Sequence, residues 1–321
     1  MFLTVFMILS VSFVNGLTDA PNSVASCVAT KTLTIKKALR IAAVSDFAGS
    51  MTAYLFGGKV ADRIVELSST QNNELYIVSV FSAMLSVVIW AVTAWYFGIP
   101  TSESHSLLAG LFGSSVAVNN GFENTNINEW IITLSSMIIS VISGVILSYI
   151  LSLIADKIIN KNNYTKLEKC RVVFCIISSF LHGAQDSQKF SGIIITLLSL
   201  NSFFIERKQT ELIVTVLCAF MISVGTLLSG NRIIGEIGNN LVKLNKLQGF
   251  SADLSGFICL GLSTALGVPV STTHIKTASI IGAGSINGYI NQKSVTKLII
   301  AWIMTFPICM LLSYTFIRII L

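Results

Sequence analysis

Four short stretches hold most of the side chains that could do chemistry in this chain. Asn15-Gly16-Leu17-Thr18-Asp19-Ala20-Pro21-Asn22 and His182-Gly183-Ala184-Gln185-Asp186-Ser187-Gln188-Lys189 each set a carboxylate among amides inside apolar sequence. Gly98-Ile99-Pro100-Thr101-Ser102-Glu103-Ser104-His105 and Gly267-Val268-Pro269-Val270-Ser271-Thr272-Thr273-His274 each set a proline before a run of hydroxyls. All three histidines and three of the four prolines fall here. Proline stops one helix, and Ser or Thr caps the next, whose first N–H groups are free. Two such helix starts, with their dipoles and hydroxyls, make a donor-rich site for an oxyanion. A bare carboxylate beside that anion is strongly repelled in a low dielectric. Asp19 and Asp186 therefore call for a bound cation, a proton or Lys189 between them and the anion. Kinks and caps of ordinary packed helices also use Pro, Ser and Thr, but the recurrence of both motifs weighs against that reading.

The elements that position these residues are membrane segments. Of 321 residues, 53% are apolar and only 11% charged, against about 25% charged in ordinary soluble domains. Mean hydropathy is +0.77, too high for a water-facing surface, so the chain is an all-α integral membrane protein. Windows of about 20 residues give ten apolar segments. They lie near 2–30 (interrupted at 15–22), 38–56, 75–97, 103–118, 130–154, 172–200 (interrupted at 182–189), 212–230, 250–267, 272–286 and 295–319. Met1 to Val14 lacks the preceding positive charge of a secretory signal.

The chain is a tandem duplication. His182 follows Asn15 by 167 positions, and His274 follows His105 by 169. Repeat one spans 1–155, a connecting loop 156–171, and repeat two 172–321, the whole forming one transport unit. Five segments per half is odd, so the halves have opposite orientation, with discontinuous helices and two Pro/Ser hairpins meeting near the midplane. Basic residues (Lys31, Lys36, Lys37 and Arg40; Lys157, Lys161, Lys166, Lys169 and Arg171) fill two loops, and the 119–129 loop is acidic. The positive-inside rule makes the basic loops cytoplasmic and places both termini outside the cytoplasm. The 57–74 loop has mixed charge and argues only weakly.

The net charge of +6 thus reports orientation, not nucleic-acid binding. Cys27, Cys170, Cys175, Cys218, Cys259 and Cys309 have no regular spacing, which implies neither a disulfide frame nor a metal site. Asp46 and Asp253 belong to no repeated motif and read as interhelical hydrogen-bonding or interfacial groups. Lys276, where the first half has Leu107, reads as snorkelling to an interface. A membrane hydrolase is disfavoured, because no G-x-S-x-G elbow occurs and catalysis wants one constellation, not two symmetric ones. A passive anion channel remains the alternative to a carrier.

At these residues the chain resembles the inorganic phosphate transporter (PiT) family. That family carries two signatures of the type Asn-Gly-x-x-Asp-x-x-Asn or His-Gly-x-Asn-Asp-x-Gln-Lys, and hairpins of the type Pro-x-Ser-x-[Ser/Thr]-His. The likeness runs from Asn15 to about Gly284, with the four motifs in order. It implies a multi-pass homodimer of the cell membrane, embedded in lipid, that is not an enzyme and uses no cofactor. It also implies uptake of inorganic phosphate by symport with sodium or protons. The implied phosphate ligands are Asn22, Ser102, Ser104, Gln185, Gln188, Lys189, Ser271, Thr272 and Thr273. Asp19, Asp186 and Glu103 would couple the cation, with sodium at Asp19 and Asp186. Gln185, Ser187, Glu103 and Thr18 depart from the usual pattern, and sulfate permeases of the same superfamily share the skeleton, so sulfate is the alternative substrate.

Overall fold

The structure, a computed structural model, describes residues 1–68, 73–97, 101–122, 125–158, 164–200, 206–229, 241–286 and 289–321. It is almost entirely helical. In chain order come α1 (Phe2–Thr18), a 3-10 turn (Ala20–Ser23), α2 (Ala25–Ala29), α3 (Ile35–Leu55), α4 (Lys59–Ser68), α5 (Asn73–Phe97), α6 (Glu103–Val118), α7 (Ile127–Ile158), α8 (Tyr164–Leu200) and α9 (Arg207–Leu228). Then follow β1 (Val242–Lys243), α10 (Lys246–Ala265), α11 (Thr272–Gly284), β2 (Tyr289–Ile290) and α12 (Gln292–Ile320). The two short strands pair antiparallel, Val242 opposite Ile290. Among the described residues, five helical runs are long and apolar enough to cross a bilayer: Phe2–Ser23, Asn73–Ala94, Ile127–Ile158, Arg207–Leu228 and Gln292–Ile320. Most of their large apolar side chains that escape the core face outward, as lipid contact requires.

Helix α1 packs on α9 and α3 on α8; α6 packs on α12 and α11 on α7; α5 lies on α6, and α10 on α11. Glycines let the first crossings close. A Cβ added at Gly16 would enter the Ile222 carbonyl, one at Gly225 the Phe13 carbonyl, one at Gly183 the Asp46 carbonyl, and one at Gly49 the Phe180 carbonyl. Small residues at such points let backbones touch where lipid supplies no hydrophobic drive. Gly49→Val must push α3 off α8. An overpacking cost of about 2 kcal/mol or more is expected, read as a lowered melting temperature in detergent.

The first signature breaks as its sequence requires. Pro21 has no N–H and cannot continue α1, so the chain turns through Ala20–Ser23. The second does not break. Residues 182–189 lie inside the unbroken α8, which corrects the expected interruption. They contain no proline, and their charged groups find partners one turn away: Lys189 Nζ lies 2.6 Å from Asp186, and His182 Nε2 3.3 Å from the same carboxylate.

Three further corrections concern other segments. The 57–74 stretch contains α4, which buries Val60, Ile64 and Leu67 on one face. Cys27 and Cys175 form a disulfide, against the expectation of none; α2 and α8 pack together there in one buried cluster with Leu39 and Ala42. Lys276 does not reach an interface. It is buried, bonded to Ser178 at 3.0 Å and near Asp253 at 3.5 Å. Helix α7 runs to Ile158 and α8 starts at Tyr164, so most of 156–171 is helical; Lys161, Glu123, Gly98 and Pro100 lie outside the described residues.

Candidate functional site

Helix ends build the site. Asp19 ends α1, and Asn22 lies on the turn that Pro21 forces. Ser102 caps α6 by accepting from the His105 N–H, and Ser271 caps α11 by accepting from the His274 N–H. Before α11 the chain leaves α10 through Gly267 at φ 71°, a left-handed turn suited to glycine. The two caps meet: Ser271 Oγ donates to Ser102 Oγ at 2.8 Å. Helix α8 crosses beside them and contributes Asp186 and Lys189.

The hydrogen bonds interlock all four motifs. Thr273 donates to Asp19 Oδ1 at 2.7 Å, and Ser102 donates to Asp19 Oδ2 at 3.4 Å. Ser104 donates to Asp186 Oδ1 at 3.2 Å, and Thr272 donates to Asp186 Oδ2 at 3.4 Å. Asn22 Nδ2 donates to Thr273 at 2.7 Å. Lys189 Nζ donates to Asp186 at 2.6 Å, to Ser104 at 2.9 Å and to the Val270 carbonyl at 2.7 Å. Glu103, buried, lies against Asp19 and Thr18. Ten of the twelve expected residues thus converge. Gln185 and Gln188 point elsewhere: Gln185 donates to the Val268 carbonyl at 3.0 Å, and Gln188 accepts from the Val60 N–H of α4 at 3.1 Å.

Residues outside the expected set complete the network. Asn15 Nδ2 bridges Asp19 at 3.1 Å and Asp186 at 3.0 Å. His182 Nδ1 reaches Asp46 at 3.0 Å, and Asp46 also accepts from Thr226 at 2.8 Å. Asp46 is therefore the interhelical group it was expected to be, and it orients His182 toward Asp186. Asn15 and His182 occupy the same first position of the two signatures, a signal the repeat alignment already contained.

Ionisable groups are concentrated in this core: Asp19, Glu103, Asp186 and Lys189 are all buried, with His182 and Asp46 beside them, and charge inside a membrane protein is costly unless compensated. Among the buried side-chain oxygens of the described residues that have no hydrogen-bond partner are Asn15 Oδ1, Asn22 Oδ1 and Glu103 Oε2 of this core. Carboxylate and amide oxygens are the donor set of a hard cation, and the same hydroxyls and ammonium suit an oxyanion. A cavity of about 580 Å³ approaches from the end holding Asp62 and Arg207, and Ser187 and Gln188 line it.

These features define a multi-pass helical membrane protein with a buried polar core where helix ends meet. The phosphate transporter family profile matches residues 15–174 and again 160–313, and the chain belongs to that family. It is 31% identical over 313 residues to a probable low-affinity inorganic phosphate transporter of Bacillus subtilis (strain 168), covering 95% of this chain and 92% of the relative. A protein of the same description from Rhizobium meliloti (strain 1021) is 33% identical over 310 residues, covering 94% and 90%. Among solved structures, one titled "The sodium-dependent phosphate transporter" superposes with a TM-score of 0.84 at 20% identity, covering 99% of this chain and 98% of that one. At that identity the likeness speaks for the fold.

Proposed function

We propose that this protein is a secondary carrier that imports inorganic phosphate in symport with a cation, sodium or a proton. One observation carries the reading: the hydroxyls of both hairpin tips are donated to the carboxylates of Asp19 and Asp186. A cation that takes over those carboxylate oxygens releases the hydroxyls, together with Lys189, to an anion. Cation and phosphate then bind as a set, because each removes the obstacle to the other. Gln185 and Gln188 act at the margin of this set, Gln188 in the lining of the approach cavity.

The carrier reading includes ten membrane segments in two inverted repeats, 1–155 and 172–321. Its support is the exchange of helix pairs under the repeat. Replacing each helix by its counterpart turns α1 on α9 into α8 on α3, and α6 on α12 into α11 on α7, and both members of each pair occur. Such pseudo-symmetry around a central site is what alternating access uses. Basic residues at Lys31–Lys37, Lys166–Lys169 and Lys243–Lys246 favour a cytoplasmic position for that end, with both termini outside. A homodimer is part of the same reading.

Radiolabelled phosphate uptake into proteoliposomes, with sodium and proton gradients imposed separately, tests it. Saturable uptake that needs one gradient is expected; uptake indifferent to both makes the protein a channel. Glu103 bears on the choice of anion. A carboxylate there accepts the proton that phosphate carries and sulfate lacks near neutral pH. Glu103→Gln is expected to strengthen sulfate competition about tenfold, the worth of one charged hydrogen bond. Unchanged competition removes Glu103 from anion selection.

A further inference from the structure

A second buried charged cluster lies away from the ion site, and the carrier chemistry does not use it. Arg171, fully buried on α8, donates to Asp253 at 3.3 Å, to Thr32 at 3.0 Å, to Thr30, and to the Ser26 carbonyl at 2.9 Å. Lys276 approaches the other oxygen of Asp253, and Ser26 also donates to it. Two glycines of α10 make the room: a Cβ at Gly249 would meet the Arg171 guanidinium, and one at Gly256 the Lys276 side chain. The positions one repeat away are Thr4, Met84 and Leu107, and Met84 and Leu107 belong to an apolar core. The repeat symmetry therefore does not account for these charges.

Cys27 and Cys175 lie against this cluster. Cys27 Sγ is 3.5 Å from the Arg171 carbonyl and 3.9 Å from Asp253 Oδ2. Two cations, Arg171 and Lys276, face the Asp253 carboxylate here. Both sulfurs and an Asp253 oxygen lie within 4.8 Å of one another, but Asp253 is already held by Arg171 and Lys276, which leaves a metal little to gain. Cys27 sits just past Asn22 in the first repeat, and Cys175 sits on the helix that carries Asp186 and Lys189 in the second. Their bond therefore ties one repeat to the other.

We propose that Cys27 and Cys175 are a reversible thiol–disulfide switch that arrests the carrier when oxidised; this rests on the carrier reading and on the basic end facing the cytoplasm. There, low-molecular-weight thiols hold cysteines reduced. Hydrogen peroxide is the oxidant. One thiolate attacks a peroxide oxygen, the O–O bond breaks, and a sulfenic acid and hydroxide form. The second thiolate then attacks that sulfur, the S–O bond breaks, and the oxygen leaves as water once protonated. A dithiol reverses the reaction through a mixed disulfide. Repeats joined at this point cannot reorient against one another, so transport stops.

The test uses the full chain in proteoliposomes with Cys170, which is exposed, changed to Ser. Peroxide is expected to protect two thiols from maleimide–polyethylene glycol labelling and to reduce phosphate uptake to the level of empty vesicles, and dithiothreitol to restore both. Cys27→Ser and Cys175→Ser variants should transport at the reduced parent's rate and ignore peroxide. If labelling is unchanged by peroxide, if the bond forms without loss of uptake, or if the variants stay sensitive, the switch is refuted. Failure of the reduced parent to transport phosphate refutes the carrier reading instead, and the labelling result stands apart from it.

Discussion

Asp186→Asn proteoliposomes are expected to accumulate no phosphate against a cation gradient, although the protein folds and inserts. Asp186 gathers more partners than any other residue of the site: Asn15, Lys189, Ser104 and Thr272, with His182 at 3.3 Å. Asparagine keeps the shape and one acceptor, so α8 and its contacts with both hairpins survive. What is lost is the charge that a coupling cation binds in the proposed mechanism, and with it the counter-ion of the buried Lys189. Stranding one member of a buried pair costs about 3–5 kcal/mol. Here an anion can recover that cost by taking the vacated place beside Lys189. The variant should therefore bind phosphate without any cation, yet fail to move it uphill. Coupled uptake should fall about 100-fold or more, the equivalent of about 3 kcal/mol, while equilibrium binding of labelled phosphate in cation-free buffer persists. Asp19→Asn should lose uptake too, but without cation-independent binding, because its Lys189–Asp186 pair is intact. Parent-like accumulation by both variants would mean that the carboxylates are structural caps.

The contrast between these carboxylates also separates what the amino-acid order carries from what only the folded chain shows. Convergence of the four motifs is legible because each repeats at nearly one offset, and because Pro21 and Pro269 force helix ends wherever the fold places them. The state of 182–189 is not. A charged run inside apolar sequence looks like an interruption, whether the chain unwinds or its charges pair along one helix face. Lys189 with Asp186 at i, i+3 is the second case, and the absence of proline is the clue to it. Helix α4 hides for a related reason: its mixed charges suggest a loop, while the helical spacing of Val60, Ile64 and Leu67 is the weaker signal. Long-range partners carry no local mark at all. Nothing near Cys27 points to Cys175, and nothing near Lys276 points to Asp253, so neither the disulfide nor the burial of the lysine can be read from spacing. Asn15 and His182 are different, since their shared first position in the two signatures already sets them apart from the surrounding apolar residues.

Lys189→Gln is expected to raise the phosphate concentration for half-maximal uptake far more than it lowers the maximal rate. The ammonium spends its three donors on Asp186, Ser104 and the Val270 carbonyl, tying α8 to the first hairpin and to the strand-like approach of the second. Glutamine can replace one of these bonds but not the charge. Removing one partner of a buried, hydrogen-bonded charge pair costs about 2–5 kcal/mol. At the lower end that is about a 30-fold rise in half-saturation, and because the group is buried, added salt should not mask it. The loss should be anion-specific: cation affinity measured without phosphate should stay level or increase, since Asp186 no longer has an internal competitor. Lys189→Arg should not rescue binding, because a planar guanidinium in this closed space cannot direct donors to three acceptors on different elements as a rotating ammonium does. Unchanged half-saturation in Lys189→Gln would make the lysine a structural tie between helices and leave the hairpin hydroxyls and helix starts alone to hold the anion.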